Sequence, residues 1–259
     1  MPLVSIITPS YNSIRFIEQT INSIVNQTYT NWELLITDDC STDGTWELVT
    51  HFSRIDNRIK AYRLAENAGA GVARNNSIEH ATGRFIAFCD SDDQWKHNKL
   101  EEQIRYMLKN DLGLSYSNYD IVNEDNKKIA EVVGPRVVTY KTMLRNCYIG
   151  CLTAIYDTEK VGKVFMQDIR KRQDWVLWLF ILKRTPAAFN IQDNLAIYRK
   201  RRTSISSNKA DLVKYNWKVY YEILDYSFIR SFLLMVQFMV FYLLKKLKAI
   251  FFSNVIWLL

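Results

Sequence analysis

The chain has 259 residues, 48% hydrophobic and 24% charged, which excludes a disordered polymer and suits one large domain, alone or with an appendage. Its net charge of +7 favours an anionic partner: phosphates, nucleic acid or acidic lipid. Three scattered histidines show no zinc spacing, so any acid–base work falls to carboxylates, and four cysteines without a C-x-x-C pair are expected as reduced thiols of a cytosolic protein.

In chain order, Leu3 to Thr8 reads as a strand ended by Pro9, beginning so near Met1 that no cleavable signal peptide is expected. Ile14 to Gln27 carries a helical apolar stripe at Phe16, Ile17, Ile21, Ile24 and Val25. Trp32 to Thr37 is a second strand, and Ser41-Thr42-Asp43-Gly44 caps a helix over Thr45 to Phe52. A third strand falls at Ile59 to Leu64, a helix at Gly71 to Ala81, and a fourth strand at Arg84 to Cys89. Strand–helix alternation at this spacing builds a parallel sheet covered on both faces, with ligands at the carboxyl ends of the strands. Those ends are Thr8 to Asn12, Thr37 to Cys40, Glu66 to Gly69 and Asp90 to Asp93, all polar and rich in turn residues.

The run Asp90-Ser91-Asp92-Asp93 is the densest chemical signal. Three carboxylates within four residues repel one another unless a cation shares them, and hard oxygen donors suit Mg²⁺ or Mn²⁺ with room for substrate phosphates. Taken alone, such a run reads first as a solvated acidic turn, and the strand ends upstream reverse that order.

Further on, a helix is expected over Lys99 to Lys109 and a strand at Leu114 to Ser117, with Val137 to Ile155 returning to the sheet edge. An apolar helix over Trp175 to Leu182 starts directly after Asp174. Basic clusters gather in this half: Arg170-Lys171-Arg172, Lys183-Arg184, Arg199 to Arg202 and Lys245-Lys246-x-Lys248. The apolar run Ser231 to Leu244 is short for a span of about 20 residues. At 100° per residue Arg230, Gln237, Lys245 and Lys248 share one polar stripe, as in an interfacial helix lying on anionic headgroups; a dimer interface is the alternative.

As an ordered set, Val4 to Asn12, Asp38 to Thr45, Asn67-x-Gly69-x-x-x-Ala73-Arg74-Asn75 and Phe88-x-Asp90-Ser91-Asp92-Asp93 resemble the family 2 glycosyltransferases, inverting nucleotide-sugar enzymes of the GT-A fold. Ile149 to Thr153, Asp168 to Trp178 and Tyr198 to Lys209 are similar to the teichuronic-acid, capsule and O-antigen branch of that family, so the resemblance reaches about Tyr221. It implies an α/β fold, a Rossmann-like, mostly parallel sheet with helices on both faces; the apolar run and polar stripe beyond it add a C-terminal amphipathic helical extension. Residues 1–110 would form the nucleotide-sugar half, 111–222 the acceptor and base half, and 223–259 the membrane-associating or dimerising helices.

The resemblance also implies roles. Pro9 and Tyr11 would line the base pocket, and Asp39 would accept from the pyrimidine N3–H. Arg74 would lie along the nucleotide, Asp90 would support the ribose or a metal-bound water, and Asp92 would ligate the metal. Asp174 would be the general base; its plainer reading is a helix N-cap. An acidic pair is frequent in the family here, whereas this chain has Gln173 before Asp174. Arg199 and Arg201 would grip the diphosphate or face surface and lipid. Trp178 reads as core, Trp175 as core or sugar-stacking face, and Cys151 and Thr153 as acceptor-site borders or ordinary interior residues. The implied partners are a nucleotide-sugar donor, UDP favoured, and a glycan or lipid-linked glycan acceptor, with no nucleic acid; the C-terminal helix adds an anionic membrane surface or a second copy in a homodimer. The implied place is cytoplasmic, peripheral on the inner face of the cell membrane. A nucleotidyltransferase would need a Gly- and Lys/Arg-rich loop where Pro9 to Asn12 stands, and a non-enzymatic basic binding protein would leave Asp174 and the acidic run unexplained.

Overall fold

The computed structural model describes residues 1–201, 210–251 and 255–257. The first half alternates as expected: β1 (Val4–Ser10), α1 (Ile17–Val25), β2 (Trp32–Asp38), α2 (Thr45–Ile55), β3 (Ile59–Arg63), α3 (Ala70–His80) and β4 (Phe85–Phe88). There follow β5 (Gln94–Trp95), α4 (Lys99–Lys109), β6 (Leu114–Val122), β7 (Lys128–Val133), β8 (Val137–Val138) and α5 (Tyr140–Met143). A 3₁₀ turn (Cys151–Thr153) leads into β9 (Ile155–Asp157), α6 (Thr158–Val161), α7 (Gln173–Ile181) and β10 (Ala188–Arg199). The chain ends with α8 (Ala210–Lys218), a π-helical turn (Val219–Ile223), α9 (Phe228–Phe251) and β11 (Val255–Trp257).

The strands join one sheet in the order β11-β7-β6-β9-β4-β1-β2-β3, with β10 pairing β5, β6 and β8. β1 runs parallel to both β2 and β4, and β2 parallel to β3, so four strand ends meet along one edge. Val137 to Ile155 was expected at the sheet edge, and that is corrected at its far end. β9 lies inside the sheet, antiparallel to β4 on one side and to β6 on the other. Burial accounts for it: a three-residue strand satisfies its backbone best with a neighbour on each flank.

Successive side chains of a strand point to opposite faces, and β1 shows the consequence. Ile6 belongs to the core that holds Ile17, Ile21 and Ile24 of α1 and Leu100, Ile104 and Met107 of α4, whereas Ile7 belongs to the other core, with Trp178 and neighbouring residues of α7. α7 is buried all round, as a helix apolar on every side must be. Val219, Tyr220, Leu224 and Met235 join the same core, so α9 is attached to the body through one face. Among the described residues no helix is long and apolar enough to cross a membrane.

Candidate active site

Polar loops at the strand ends are stitched to one another. Asn12, held at φ 47°, donates its backbone N–H to Ser41 Oγ (2.9 Å) while its side-chain oxygen accepts from the Thr42 N–H (2.9 Å). Asp38 is fully buried and accepts from the Ser41 N–H (2.9 Å) and Ser10 Oγ (3.3 Å), so it is scaffold. Asp39 accepts backbone N–H bonds from Ala68 (2.7 Å) and Gly69 (2.8 Å), anchoring the loop ahead of α3. Gly69 sits at φ 93°, a conformation glycine adopts without strain.

The acidic run resolves into three carboxylates with separate partners, two guanidinium groups and one backbone N–H. Arg74 Nη2 reaches both oxygens of Asp90, at 2.7 and 2.8 Å. Arg201 Nη1 lies 3.3 Å from Asp92 Oδ2. Asp93 is buried and accepts the Arg199 N–H at 2.9 Å. Burial, then Asp90 beside it, raises the proton affinity of Asp92 despite Arg201; burial with Asp92 and Asp90 pushes Asp93 well above the usual carboxylate range.

A cleft of about 640 Å³ opens over this edge. Pro9, Tyr11, Asp39, Arg74, Asp90 and Asp92 line it from the first half. Cys151, Asp174, Arg199, Arg201 and the basic triplet Arg170 to Arg172 line it from the second half. Tyr11 keeps 48% of its surface exposed, so a ring face is open to a flat ligand. Asp174 does not cap α7: the cap position is Arg172, at φ 73°, and Asp174 is the second residue of the helix, in its first turn. The capping reading of Asp174 is therefore withdrawn, while its carboxylate still meets the positive end of the helix dipole.

Arg74 lies beneath the junction of the two halves. Burial alone would lower its proton affinity; Asp90, Cys151 and Asp174 more than reverse this and hold it above the usual guanidinium value. Its Nη1 donates to Gln173 Oε1 at 3.3 Å, and its buried Nε has no partner within the protein. Gln173 lies against Gly71, where an added Cβ would overlap the glutamine amide. This bridge between α3 and α7 was missed from sequence, because no local pattern signals a contact across 99 positions.

Three expected contacts are redirected. Trp175 is buried, donates its ring N–H to the Met143 carbonyl (2.7 Å) and meets Tyr220 edge to face, so it is core and not a sugar-stacking surface. Thr153 is buried and donates to the Gly150 carbonyl (2.7 Å), which makes it a turn residue. Arg199, though it borders the cleft, spends its guanidinium on Gln19 Oε1 (2.8 Å), Asn126 Oδ1 (2.7 Å) and the Asp92 carbonyl (3.0 Å). It is an internal tie and not a free anion grip. Ser204 to Lys209, part of the later motif, lie outside the described residues.

Asp92 and Asp90 offer hard oxygen donors whose mutual repulsion a divalent cation would relieve. Among the described residues no group of three His, Cys, Asp or Glu side chains converges to hold a metal. The donor set thus fits Mg²⁺ or Mn²⁺, an ion that takes most of its ligands from phosphate and water.

The sequence profile of the family described as glycosyl transferase family 2 matches residues 5–158. The chain is 43% identical over 238 residues to TuaG of Bacillus subtilis, whose name assigns it to teichuronic acid biosynthesis as a glycosyltransferase; the match covers 92% of this chain and 94% of TuaG. It is 45% identical over 218 residues to Escherichia coli WfgD, named a UDP-Glc:α-D-GlcNAc-diphosphoundecaprenol β-1,3-glucosyltransferase, with 84% of this chain and 85% of WfgD covered. S. aureus TarS 1-349 in complex with UDP-GlcNAc shares the fold at TM-score 0.72 and 21% identity, over 92% of this chain and 72% of that one.

Proposed function

The chain belongs to glycosyl transferase family 2, and from that membership we propose that it moves one sugar from a nucleoside diphosphate donor, UDP favoured, to a hydroxyl of a lipid-linked or polysaccharide acceptor in bacterial cell-surface glycan synthesis. One observation carries this reading: Asp90, Asp92 and Asp174 line a single cleft, with Arg74 between them.

Tyr11 stacks on the base beside Pro9. Asp39 spends one acceptor position per oxygen on backbone N–H groups and retains lone pairs for the pyrimidine N3–H. Arg74 sits with Asp90, Cys151 and Asp174, so its charge serves the sugar–diphosphate end and not the base. Asp92, with Asp90, would hold Mg²⁺ or Mn²⁺, which when bound supplies Lewis-acid neutralisation of the departing diphosphate.

Asp174 takes the acceptor proton. The acceptor oxygen forms its bond to the anomeric carbon as the carbon–oxygen bond to the diphosphate breaks on the opposite face, which inverts the centre. Asp174 lines the cleft from the first turn of α7, where its carboxylate can accept the proton of an acceptor hydroxyl. Arg201 pairs with Asp92 and stands ready to receive diphosphate charge. The acceptor in WfgD's name is a lipid diphosphate; with such an acceptor this chain would work at a membrane, on its cytoplasmic face.

Asp174→Asn tests the reading. Transfer is expected to fall by about 10²–10⁴-fold, the usual worth of a positioned base, while calorimetric UDP affinity stays within about twofold of the parent. Loss of UDP binding would remove Asp174 from the acceptor side.

A further inference from the structure

The exposed face of α9 is the largest feature that the transfer chemistry leaves unused. Ser231, Met235 and Phe238 are buried against the body, and Arg230 and Gln237 flank them. On the far side Ile229, Phe232, Leu233, Val236, Val240 and Leu243 are between 46% and 72% exposed. At 3.6 residues per turn these six fall within about 100° of one another. They make one apolar strip, beyond the roughly 300–600 Å² patch that a typical monomer leaves in water when the half-exposed Phe228 and Leu244 beside it are included.

The charge of the segment selects the occupant of the strip. From Tyr226 to Leu259 there is no Asp or Glu, while Arg230, Lys245, Lys246 and Lys248 are all present. More cations lie along the packed side: the Arg145 guanidinium is 5.9 Å from the Phe241 ring and that of Arg172 is 5.8 Å from the Phe238 ring. A symmetric pairing of two copies through α9 would bring together two segments of net positive charge with no carboxylate in either to answer it. A plane of anionic headgroups answers that charge while acyl chains accept the strip.

We propose that α9 lies in the plane of an anionic lipid bilayer and holds the acceptor-side rim of the cleft at headgroup level. Arg172 supplies the link, since it lines the cleft and also reaches Phe238 of α9. An acceptor carried on a lipid diphosphate then enters past Arg170 to Arg172 without leaving the membrane. The proposal rests on the lipid-linked acceptor given above for its purpose, but on α9 alone for its geometry.

Flotation of the full chain with phosphatidylglycerol–phosphatidylcholine vesicles and with phosphatidylcholine vesicles tests it. The parent chain is expected to float with the anionic vesicles at least tenfold better than with neutral ones, and less as salt rises. Leu233→Glu with Val240→Glu, both exposed, should reduce flotation at least tenfold while circular dichroism and donor hydrolysis stay unchanged. Parent chain that stays at the bottom of the gradient, or a double variant that still floats, overturns the proposal. So does a dimer, seen by light scattering, that the same substitutions dissociate. Donor hydrolysis reports separately on the transferase reading.

Discussion

Lys99 carries an ammonium into the interior with uncharged company. It is fully buried, donates to Gln103 Oε1 (2.6 Å) and the Thr153 carbonyl (3.4 Å), and lies 4.6 Å from the Trp95 ring. Burial lowers its pKa to about 7, against roughly 10.4 in an unfolded chain. Below pH 7 both states hold the proton and the full desolvation penalty is present. Between the two values unfolding takes up a proton, so stability rises with pH by at most about 1.4 kcal/mol per unit. Lys99→Met keeps the stem and removes the titration. Urea unfolding from pH 6 to 9.5 should show the parent gaining stability relative to the variant above pH 7 and running parallel to it below. Arg199 carries its buried charge differently, since Asp93 accepts its backbone N–H and polar oxygens take its guanidinium.

At the scale of elements, the contact between α3 and α7 joins the strand ends of the first half to the helix that carries Asp174. Gly71 makes room for Gln173, and Gln173 steadies Arg74, which holds Asp90. Gly71→Ala separates stability from function here. Alanine favours a helix by about 0.5–1 kcal/mol over glycine, and the obstructing group is the flexible end of Gln173, which can swing away. Thermal denaturation should therefore show an unchanged or raised midpoint, whereas kcat/KM should drop severalfold as Arg74 loses its second tie. A midpoint lowered together with activity would mean that the glycine serves packing alone. Trp175 belongs to the opposite class, because truncating it to alanine should cost about 3–5 kcal/mol through the cavity left in the core. Urea unfolding measures that loss.

For the molecule as a whole, the two cores lie on opposite faces of one sheet and the cleft opens at its edge, walled by residues from both halves. Ligand that fills the cleft bridges elements distant in sequence and binds the folded state alone. UDP with Mn²⁺ at a hundred times its dissociation constant should stabilise the chain by about 2.7 kcal/mol, seen as a higher melting midpoint. EDTA should remove most of that gain and stop transfer. An unchanged midpoint with UDP in either condition would count against the cleft as the nucleotide site, and full activity in EDTA would remove the cation from the mechanism.

Sequence alone determined the features that depend on neighbours along the chain. The strand–helix alternation and the helical stripes set β1 to β4 and α1 to α4 within a few residues, and α7 within two. The family resemblance identified Asp90, Asp92, Asp174, Asp39 and Arg74 as one set, and all of them border the cleft. Tertiary structure decided whatever depends on which side chains meet. It assigned Asp90 to Arg74, Asp92 to Arg201 and Asp93 to the backbone of Arg199. It drew β9 into the sheet interior and made Trp175 core under the π-helical turn. A stripe records which face of a helix avoids water, but the covering partner comes from elsewhere in the chain. No local pattern carries that partner's address, so such contacts are legible only after folding.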